Sequence, residues 1–400
     1  MSCRNYFISM LCLSILSCST ENSTDTLSAI QVRTHMDETS SIATEKDLDE
    51  PIGIYLKESA DAESLIDGVA DYAVTSQAIY LLPIKEQRIV QFDRQGNFVK
   101  TLIREGQGPQ EFAGMLSGIQ VDEPHDRLYL FGSKIWEYSL SGKLIQSIQL
   151  PLPVMYSRFI ESDRIAAVSM AFIPFQAGSF GIGTLTREGE LLCQKNNFST
   201  PALSAEKTGL TAHVASGMSY DGHSVLFKSG ANDTVFRIGR DTISVACVLR
   251  LENSVEESIR SLDVSDFSDI AGLKRNPHDI FVQYILETQS HFYFRCRYNQ
   301  GYNIIAVHKT DGTVQVERCK MPLTMSEMGD LGTYQYGLLG MFGTNTFPVW
   351  GRVFGHELVQ VVSPSELDFY QKHNPIELPK SIQTSTIGEN PIIIIYKFKN

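Results

Sequence analysis

A β-hairpin pattern that returns along the chain is the feature that most limits the folds open to this sequence. Residues 90–99 alternate between apolar and polar side chains, turn at Arg94-Gln95-Gly96, and continue as a second alternating run. Four later segments repeat the pattern: residues 136–148, 182–193, 235–248 and 304–317. The turn glycines Gly96, Gly142 and Gly189 are spaced by 46 and 47 residues, and Gly312 has the same place in the last hairpin. Repeats of about 40–50 residues that are built from short strands are typical of β-propeller blades.

Another alternating strand precedes most of these hairpins, for example at residues 78–83 and 127–132. Each repeat therefore supplies the four strands of a propeller blade. The sequence predicts an all-β fold, a six-bladed β-propeller with four-stranded blades, in one domain over residues 51–400; seven blades are the alternative. The predicted blades cover residues 65–104, 113–150, 155–195, 212–250, 278–320 and 333–398.

Three segments lie outside this repeat. A strand at Ile52–Ser59 precedes the first blade, and we expect it to pair into the last blade because closing the ring removes exposed strand edges. Residues 253–273 and 363–375 lack the β pattern, and serines at their starts predict short helical insertions. Insertions in repeat folds often lie on the binding face.

The N-terminus carries an export signal. Arg4 precedes an apolar run from Tyr6 to Leu16, which is typical of a secretory signal peptide and too short to span a bilayer. The residues Ile15-Leu16-Ser17-Cys18 resemble the lipobox of bacterial lipoproteins. This resemblance implies that residues 1–17 are a signal peptide and that Cys18 is lipidated, so that the protein reaches the membrane through a lipid anchor. The alternative is a plain signal peptide with a coincidental cysteine.

Composition limits the partners and the cysteine chemistry. Residues 18–50 are rich in Ser, Thr, Asp and Glu, and we expect them to form a flexible polar tether. The net charge of −12 becomes −13 when the signal peptide, with one Arg and no acidic residue, is removed, so nucleic acid is a poor partner. The four cysteines of the folded part show no Cys-x-x-Cys spacing and are predicted to be small core residues: Cys193, Cys247, Cys296 and Cys319.

Residues 78–112 resemble a blade of the NHL type. The matching positions are Arg88, Ile89, Phe92, Asp93, Gly96, Phe98, Gly106, Gly108 and Phe112. Over residues 50–400 the chain is similar to the six-bladed β-propeller lipoproteins of Bacteroidetes, through its Gly-x-Gly-Pro-x-Glu-Phe loop, its NDTVFRI segment and its terminal ENPIIII segment. The resemblance implies the fold and export to the envelope, and it implies little about activity.

Local motifs for catalysis are weak. A dinucleotide loop at Gly106-Gln107-Gly108 would need a third glycine where Glu111 stands, and Pro109 removes a backbone donor. We therefore interpret this loop as a turn between blades, with Phe112 packed between the first two. The segment 177–181 lacks the first glycine of a nucleophile elbow, and the histidines show no zinc-binding spacing.

Two sets of residues are candidate ligand sites. Aromatic side chains on glycine-rich loops suit sugar stacking or peptide capture, although packing of the last blade is the simpler interpretation: Tyr334, Tyr336, Phe342 and Trp350. Propeller enzymes gather acidic groups from several blades around the channel, often with Ca²⁺. The candidates here are also ordinary turn residues: Asp122, Asp163, Asp221 and Asn232.

These observations predict an exported protein, lipid-anchored to the cell envelope at the outer membrane, that is a non-catalytic binding or interaction module. Its expected ligand is a glycan, a peptide or an envelope protein, and no catalytic residue, metal ligand or cofactor is assigned. The alternative is a propeller hydrolase or lyase with a metal such as Ca²⁺ in the central channel. A third hypothesis is a structural subunit of an outer-membrane complex.

Overall fold

The computed structural model describes residues 29–38, 40, 42, 48–60, 62–150, 154–169, 181–195, 217–220, 222–228, 233–252, 278–299, 301–318, 351–364 and 388–399. In these residues the chain forms six sheets, one for each blade, around a central channel, and the four blade strands of each sheet are antiparallel. This confirms the predicted six-bladed β-propeller and excludes the seven-bladed alternative. Two strands precede the first blade, β1 (Ile30–Gln31) and β2 (Ile52–Tyr55).

Each of blades 1 to 3 is built from four strands that are consecutive in the chain, with the first strand at the channel and the fourth at the outer edge. Blade 1 comprises β3 (Val69–Val74), β4 (Ala78–Pro83), β5 (Arg88–Asp93) and β6 (Phe98–Arg104). Blade 2 comprises β7 (Gly118–Asp122), β8 (Arg127–Phe131), β9 (Ile135–Tyr138) and β10 (Leu144–Ile148). Blade 3 comprises β11 (Val154–Ile160), β12 (Arg164–Ser169), β13 (Ile182–Thr186) and β14 (Leu191–Lys195).

Blades 4 and 5 repeat this order, and blade 6 is completed from the N-terminal side. Blade 4 comprises β15 (Gly217–Tyr220), β16 (Val225–Lys228), β17 (Thr234–Ile238) and β18 (Ile243–Arg250). Blade 5 comprises β19 (Phe281–Glu287), β20 (His291–Tyr298), β21 (Gly301–His308) and β22 (Val314–Arg318). Blade 6 comprises β23 (Arg352–Phe354), β24 (Glu357–Val362), β25 (Ile392–Lys397) and, outermost, β2.

Strand β2 closes the ring, as the sequence predicts. It pairs with β25 in antiparallel register, from Ile52 opposite Ile395 to Tyr55 opposite Ile392. The closing strand also meets blade 1, because the Lys57 N–H donates to the Gly96 carbonyl at 2.8 Å. Gly96 has a φ of +79°, and a Cβ there would lie 2.0 Å from the Tyr55 oxygen, so the position requires glycine.

Apolar side chains fill the spaces between neighbouring blades. All six residues of β4 and five of the six residues of β25 are buried, because a middle strand has a blade on each side. Phe112 is fully buried between blades 1 and 2, with its ring 5.9 Å from that of Trp136 in an edge-to-face contact, which confirms its predicted place. Cys247 and Cys296 are buried core residues, as predicted.

Part of the predicted tether packs against the propeller. We call residues 29–42 the N-terminal strap. Its strand β1 pairs in parallel with β18, and Val32 and Met36 enter the core between blades 4 and 5. The Ser40 N–H donates to the Val316 carbonyl at 2.8 Å, and the Ile42 N–H donates to the Glu317 carboxylate at 2.9 Å. The strap therefore crosses from the outer edge of blade 4 to that of blade 5.

Three short 3₁₀ turns lie in the described part of the chain: Arg33–His35, Ala62–Ser64 and Glu123–His125. Pro364, at the edge of a described range, is α-helical. The predicted insertion at residues 253–273 lies outside the described residues, as does nearly all of the one at 363–375.

The two faces of the ring differ in their connections. Short hairpin turns join the first strand of a blade to its second and the third to its fourth, and we call this side the turn face. We call the other side the connection face, because the blade-to-blade connections and the links between second and third strands begin and end there. Every connection of more than ten residues between consecutive propeller strands belongs to the connection face.

Candidate functional site

Charged side chains from three blades meet in the central channel. Asp71 lies on β3, Arg158 on β11 and Arg352 on β23, which are innermost strands of blades 1, 3 and 6. The pairing of β3 with β4 is irregular between Val69 and Asp71, and such a bulge re-aims a side chain. We call these three residues the channel cluster.

Asp71 is the centre of the channel cluster. Its side chain is 1% exposed, and one carboxylate oxygen accepts from the Ile119 N–H at 2.8 Å and from Arg158 Nη2 at 3.3 Å. The other oxygen forms an ion pair with Arg352 Nη1 and accepts from the Tyr72 N–H at 2.7 Å. A single buried carboxylate thus joins blades 1, 2, 3 and 6.

A glycine makes room for this contact. Gly118 is the first residue of β7 in blade 2. A Cβ at this position would lie 2.5 Å from the Asp71 carboxylate and 2.9 Å from Arg158 Nη2. Any larger residue would therefore separate the carboxylate from the guanidinium.

Aromatic rings support both guanidiniums. The Arg352 guanidinium lies 5.2 Å from the Tyr72 ring centroid, and that of Arg158 lies 5.0 Å from the Phe131 centroid. Burial lowers the pKa of Arg158 despite Asp71. For Arg352 burial acts in the same direction, but Asp71 together with Tyr284 and Tyr72 outweighs it, and the pKa lies above its usual value. Arginine remains protonated at any physiological pH, so both groups are cations.

A second polar layer lies nearer the turn face. Gln120, two residues beyond Gly118 on β7, donates to the Tyr220 hydroxyl at 2.6 Å and to the Phe159 carbonyl at 2.9 Å. Its carbonyl oxygen accepts from the Phe159 N–H at 2.8 Å. Gln120 therefore links blades 2, 3 and 4 below the channel cluster.

Polar contacts at the turn face hold the blades together at five of the six junctions within the described residues. Arg94 donates from Nη2 to both oxygens of Glu357 at 2.9 Å, which joins blade 1 to blade 6. Arg187 forms an ion pair with Glu137, which joins blade 3 to blade 2. The other three contacts are Ser76–Glu123, Arg164–Asp241 and Arg237–Glu287.

Glu137 is the most buried of these carboxylates, at 2% exposure. Burial by itself raises its pKa, but hydrogen bonds from Gln146 and Arg187 outweigh this effect, and the pKa lies below its ordinary value. The carboxylate is therefore charged and contributes to stability at neutral pH.

A second cavity lies on the connection face at blade 1. It has a volume of about 460 Å³ and is lined by Ala62, Glu63, Glu86, Gln87, Arg88, Arg104 and Glu105. Its cations are already paired, Arg88 with Glu86 and Arg104 with Glu63. With three carboxylates and two guanidiniums, this cavity is less suited to an anion than the channel.

The loop after β6 folds around a carboxylate of its own, that of Glu111. The Glu111 carboxylate accepts from the Gly108 N–H at 2.7 Å. A Cβ at Gly106 would lie 1.9 Å from the same carboxylate, so the glycines allow the chain to fold around Glu111. A phosphate in this loop would meet a carboxylate, which agrees with the interpretation of the loop as a turn between blades.

The structure places two of the predicted channel or rim residues at the turn face, where they pair with neighbouring side chains. Asp122 lies 2.8 Å from His125 Nδ1, and Asp163 pairs with Arg240. Each carboxylate thus serves its own turn or a neighbouring blade, as turn-forming residues commonly do. Asp221 and Asn232 lie outside the described residues. Among the residues that the structure describes, no group of three or more His, Cys, Asp or Glu side chains could hold a metal ion.

The remaining predicted site residues are not covered by the structure. The aromatic candidates and the lipidation site lie outside the described residues: Tyr334, Tyr336, Phe342, Trp350 and Cys18. In the described part of the chain, no helix has the length and apolar character needed to cross a bilayer.

Sequence reasoning missed the channel cluster. Its members are separated by 87 and 194 residues and share no local motif. One usable signal was Asp71 within the otherwise apolar strand VADYAV, because a carboxylate in a buried strand needs a partner. A comparable signal for the blade junctions was an arginine two residues before a turn glycine, at Arg94 and Arg187.

Comparison with solved structures supports the propeller fold through one of the two proteins described below, a protein from Bacteroides fragilis. A protein described as a "Putative exported protein" from Bacteroides fragilis superposes with a TM-score of 0.61 at 14% identity, over 91% of this chain and 98% of that one. BamB from Moraxella catarrhalis gives a TM-score of 0.35 at 11% identity, over 69% of each chain. No curated protein matches the chain. Residues 60–397 match the family described as Domain of unknown function (DUF4934), and the chain belongs to that family.

Proposed function

We propose that this protein is an exported, non-catalytic binding module, anchored to the cell envelope through a lipid on Cys18, that receives its ligand at the central channel on the connection face. The channel cluster is the observation that carries the binding role. It joins side chains from three blades, and the Arg352 side chain remains 33% exposed although its carboxylate partner is buried.

The rigidity of the ring supports this role. The polar contacts at the turn face and the closing strand β2 fix the blades to one another. A site whose members are already held in place loses little conformational entropy when a ligand binds. Every connection of more than ten residues between consecutive propeller strands begins and ends on the opposite side, which is the side from which we propose that a glycan, a peptide or an envelope protein enters.

The chemistry of the channel cluster favours this proposal over a metal-dependent hydrolase or lyase. Two guanidiniums face one carboxylate, and that carboxylate already accepts four contacts. A divalent cation at this place would be repelled by the arginines and would find no free oxygen ligand among these groups.

Export and the lipid anchor are supported by the N-terminal sequence. Arg4, the apolar run and the lipobox-like residues before Cys18 form a complete export pattern. The similar propeller from Bacteroides fragilis also carries the description of an exported protein. The net charge of −13 after removal of the signal peptide makes nucleic acid a poor partner on electrostatic grounds.

The anchor is tested by fractionating cells that express the full chain. Cys18→Ser should move the protein from the membrane fraction to the soluble fraction and abolish incorporation of labelled palmitate. Cys12→Ser is the matched control and should behave as the wild type. Labelling and membrane association that survive Cys18→Ser would disprove lipidation at this residue.

The binding role is tested by screening the purified full-length protein against envelope glycans and peptides. Arg352→Gln should weaken capture of any ligand found, because it removes the exposed cation of the channel cluster. Arg164→Gln, on the turn face, should leave capture unchanged. A ligand whose capture is lost in Arg164→Gln and kept in Arg352→Gln would contradict the placement of the site.

A further inference from the structure

The channel cluster carries more positive than negative charge. Among the described groups that act most strongly on Arg158 and Arg352, Asp71 is the carboxylate; the two arginines repel one another, and the remaining groups are tyrosines. The Tyr72 hydroxyl is buried and donates to the Val359 carbonyl at 2.6 Å, so it is neutral. Two cations and one anion therefore share a partly dehydrated site, and an unbalanced charge in such surroundings is unfavourable.

The guanidiniums of Arg158 and Arg352 also have N–H groups that the described contacts do not use. Arg158 donates to the Ser157 carbonyl at 2.9 Å and to Asp71. Arg352 donates to Asp71, to the Tyr72 carbonyl at 3.3 Å and to the Tyr284 hydroxyl. A guanidinium has more N–H groups than these contacts use. The fork of an arginine matches the two oxygens of a carboxylate or a phosphate.

The site can be reached from the connection face. Arg352 is the first residue of β23, and Gly118 is the first residue of β7, so both lie at the connection-face ends of their strands. Ala70, next to Asp71, is exposed. The Arg158 side chain keeps 12% exposure and that of Arg352 keeps 33%. A small anion therefore has access to unused donors.

We propose that the channel cluster binds an oxyanion, a carboxylate or phosphate group of the ligand, between Arg158 and Arg352. This inference rests on the proposed binding function and defines the chemical class of its ligand. The bound anion balances the charge of the channel cluster, and Asp71 sets its affinity. Asp71 holds both guanidiniums in place and also repels the incoming anion, which keeps binding reversible.

The test is isothermal titration calorimetry on the full chain, purified in a neutral detergent, at constant ionic strength set with sodium chloride. The probes are inorganic phosphate and sodium glucuronate, and the tighter of the two identifies the phosphate or the carboxylate source. Arg352→Gln should weaken binding of the better probe at least tenfold. Arg164→Gln, whose side chain pairs with Asp163 and Asp241 on the turn face, should bind as the wild type does.

Asp71→Asn supplies a second readout with the opposite sign. It removes the one negative charge of the site, so the probe should bind several-fold more tightly and should raise the unfolding temperature more than it does for the wild type. If this variant does not fold without the anion, addition of phosphate or glucuronate during refolding should restore the folded protein.

Two results would overturn the inference. One is that neither probe binds the wild type, and the other is that binding is the same in Arg352→Gln. If a neutral glycan or peptide is captured and Arg352→Gln does not affect its capture, the proposal of an oxyanion ligand is rejected, but the proposal of a binding module is kept. Absence of both anion binding and capture in the ligand screen would reject the two proposals together.

Discussion

Replacement of Asp71 by asparagine isolates the contribution of the channel cluster to stability. Asparagine keeps the size of the side chain and one acceptor oxygen, but it removes the charge and turns an NH₂ group toward a donor. Arg352 and Arg158 would then lie in the channel without their counterion. Loss of one partner of a buried ion pair typically costs about 3–5 kcal/mol, because the other charge stays buried.

The expected loss in the free energy of unfolding follows from the exposure of Asp71 and its two arginine partners. Asp71 is 1% exposed and its two partners are 12% and 33% exposed, so solvent screens the pair only in part and the lower half of that range, about 3 kcal/mol, is expected. Asp241→Asn is the matched control, because Asp241 pairs with Arg164 at 3.0 Å and is 57% exposed. An exposed pair of this kind contributes about 1 kcal/mol or less.

The assay is urea unfolding in anion-poor buffer, followed by the fluorescence of the buried Trp136. Equal slopes for wild type and variant allow the shift in midpoint to be read as a change in free energy. A double-mutant cycle with Arg352→Gln should return a coupling free energy of about 1–3 kcal/mol. A cost for Asp71→Asn no larger than that of Asp241→Asn would refute the role of this carboxylate as a junction between blades.

Three further changes test other parts of the ring. Phe112→Ala should lower the free energy of unfolding by about 3–5 kcal/mol, measured in urea, because it empties a fully buried site between two blades. Gly96→Ala should cost more than Gly355→Ala. Both glycines have positive φ, but only a Cβ at Gly96 would collide with the Tyr55 carbonyl; equal losses in thermal melts would argue against this clash. The wild type should have a higher free energy of unfolding than Glu137→Gln, and the difference should be full above a pH of about 4.3, the ordinary pKa of glutamate. It should shrink as the pH falls through the lower pKa of Glu137 in the folded state. A difference that does not depend on pH would contradict a charged Glu137.

The architecture was readable from the sequence because it depends on local periodicity. Alternating strands and turn glycines recur within each blade, and each signal is contained in a short window. The closing strand was also predictable, since Ile52–Ser59 had no partner in the first blade and an unpaired edge is unfavourable.

The N-terminal strap shows where composition misleads. Residues 18–50 are polar on average, which predicts a tether, yet a few apolar side chains in the strap are 0–4% exposed: Ile30, Val32, Met36 and Ile42. Each buries its apolar surface in a groove that other blades create. The groove exists only in the folded protein, so the sequence of the N-terminal strap does not indicate it.

The channel cluster was hidden for the same reason. Asp71, Arg158 and Arg352 come together only when the ring closes, and no local motif connects them in the sequence. Their chemistry depends on convergence, so a search for local motifs finds the turn residues Asp122 and Asp163 instead. Ring closure decides which charges meet, and a single sequence does not contain that distance information.

The closing strand has a further consequence for how the chain folds. Ile52 and Ile395, which face one another in blade 6, are 343 residues apart, so this sheet cannot form until nearly the whole chain has been made. Contacts of such long sequence separation form slowly because a large loop must close first. If the chain is exported as we propose, it would therefore remain open while it crosses the membrane, and the ring would close only after its last strand had followed the first.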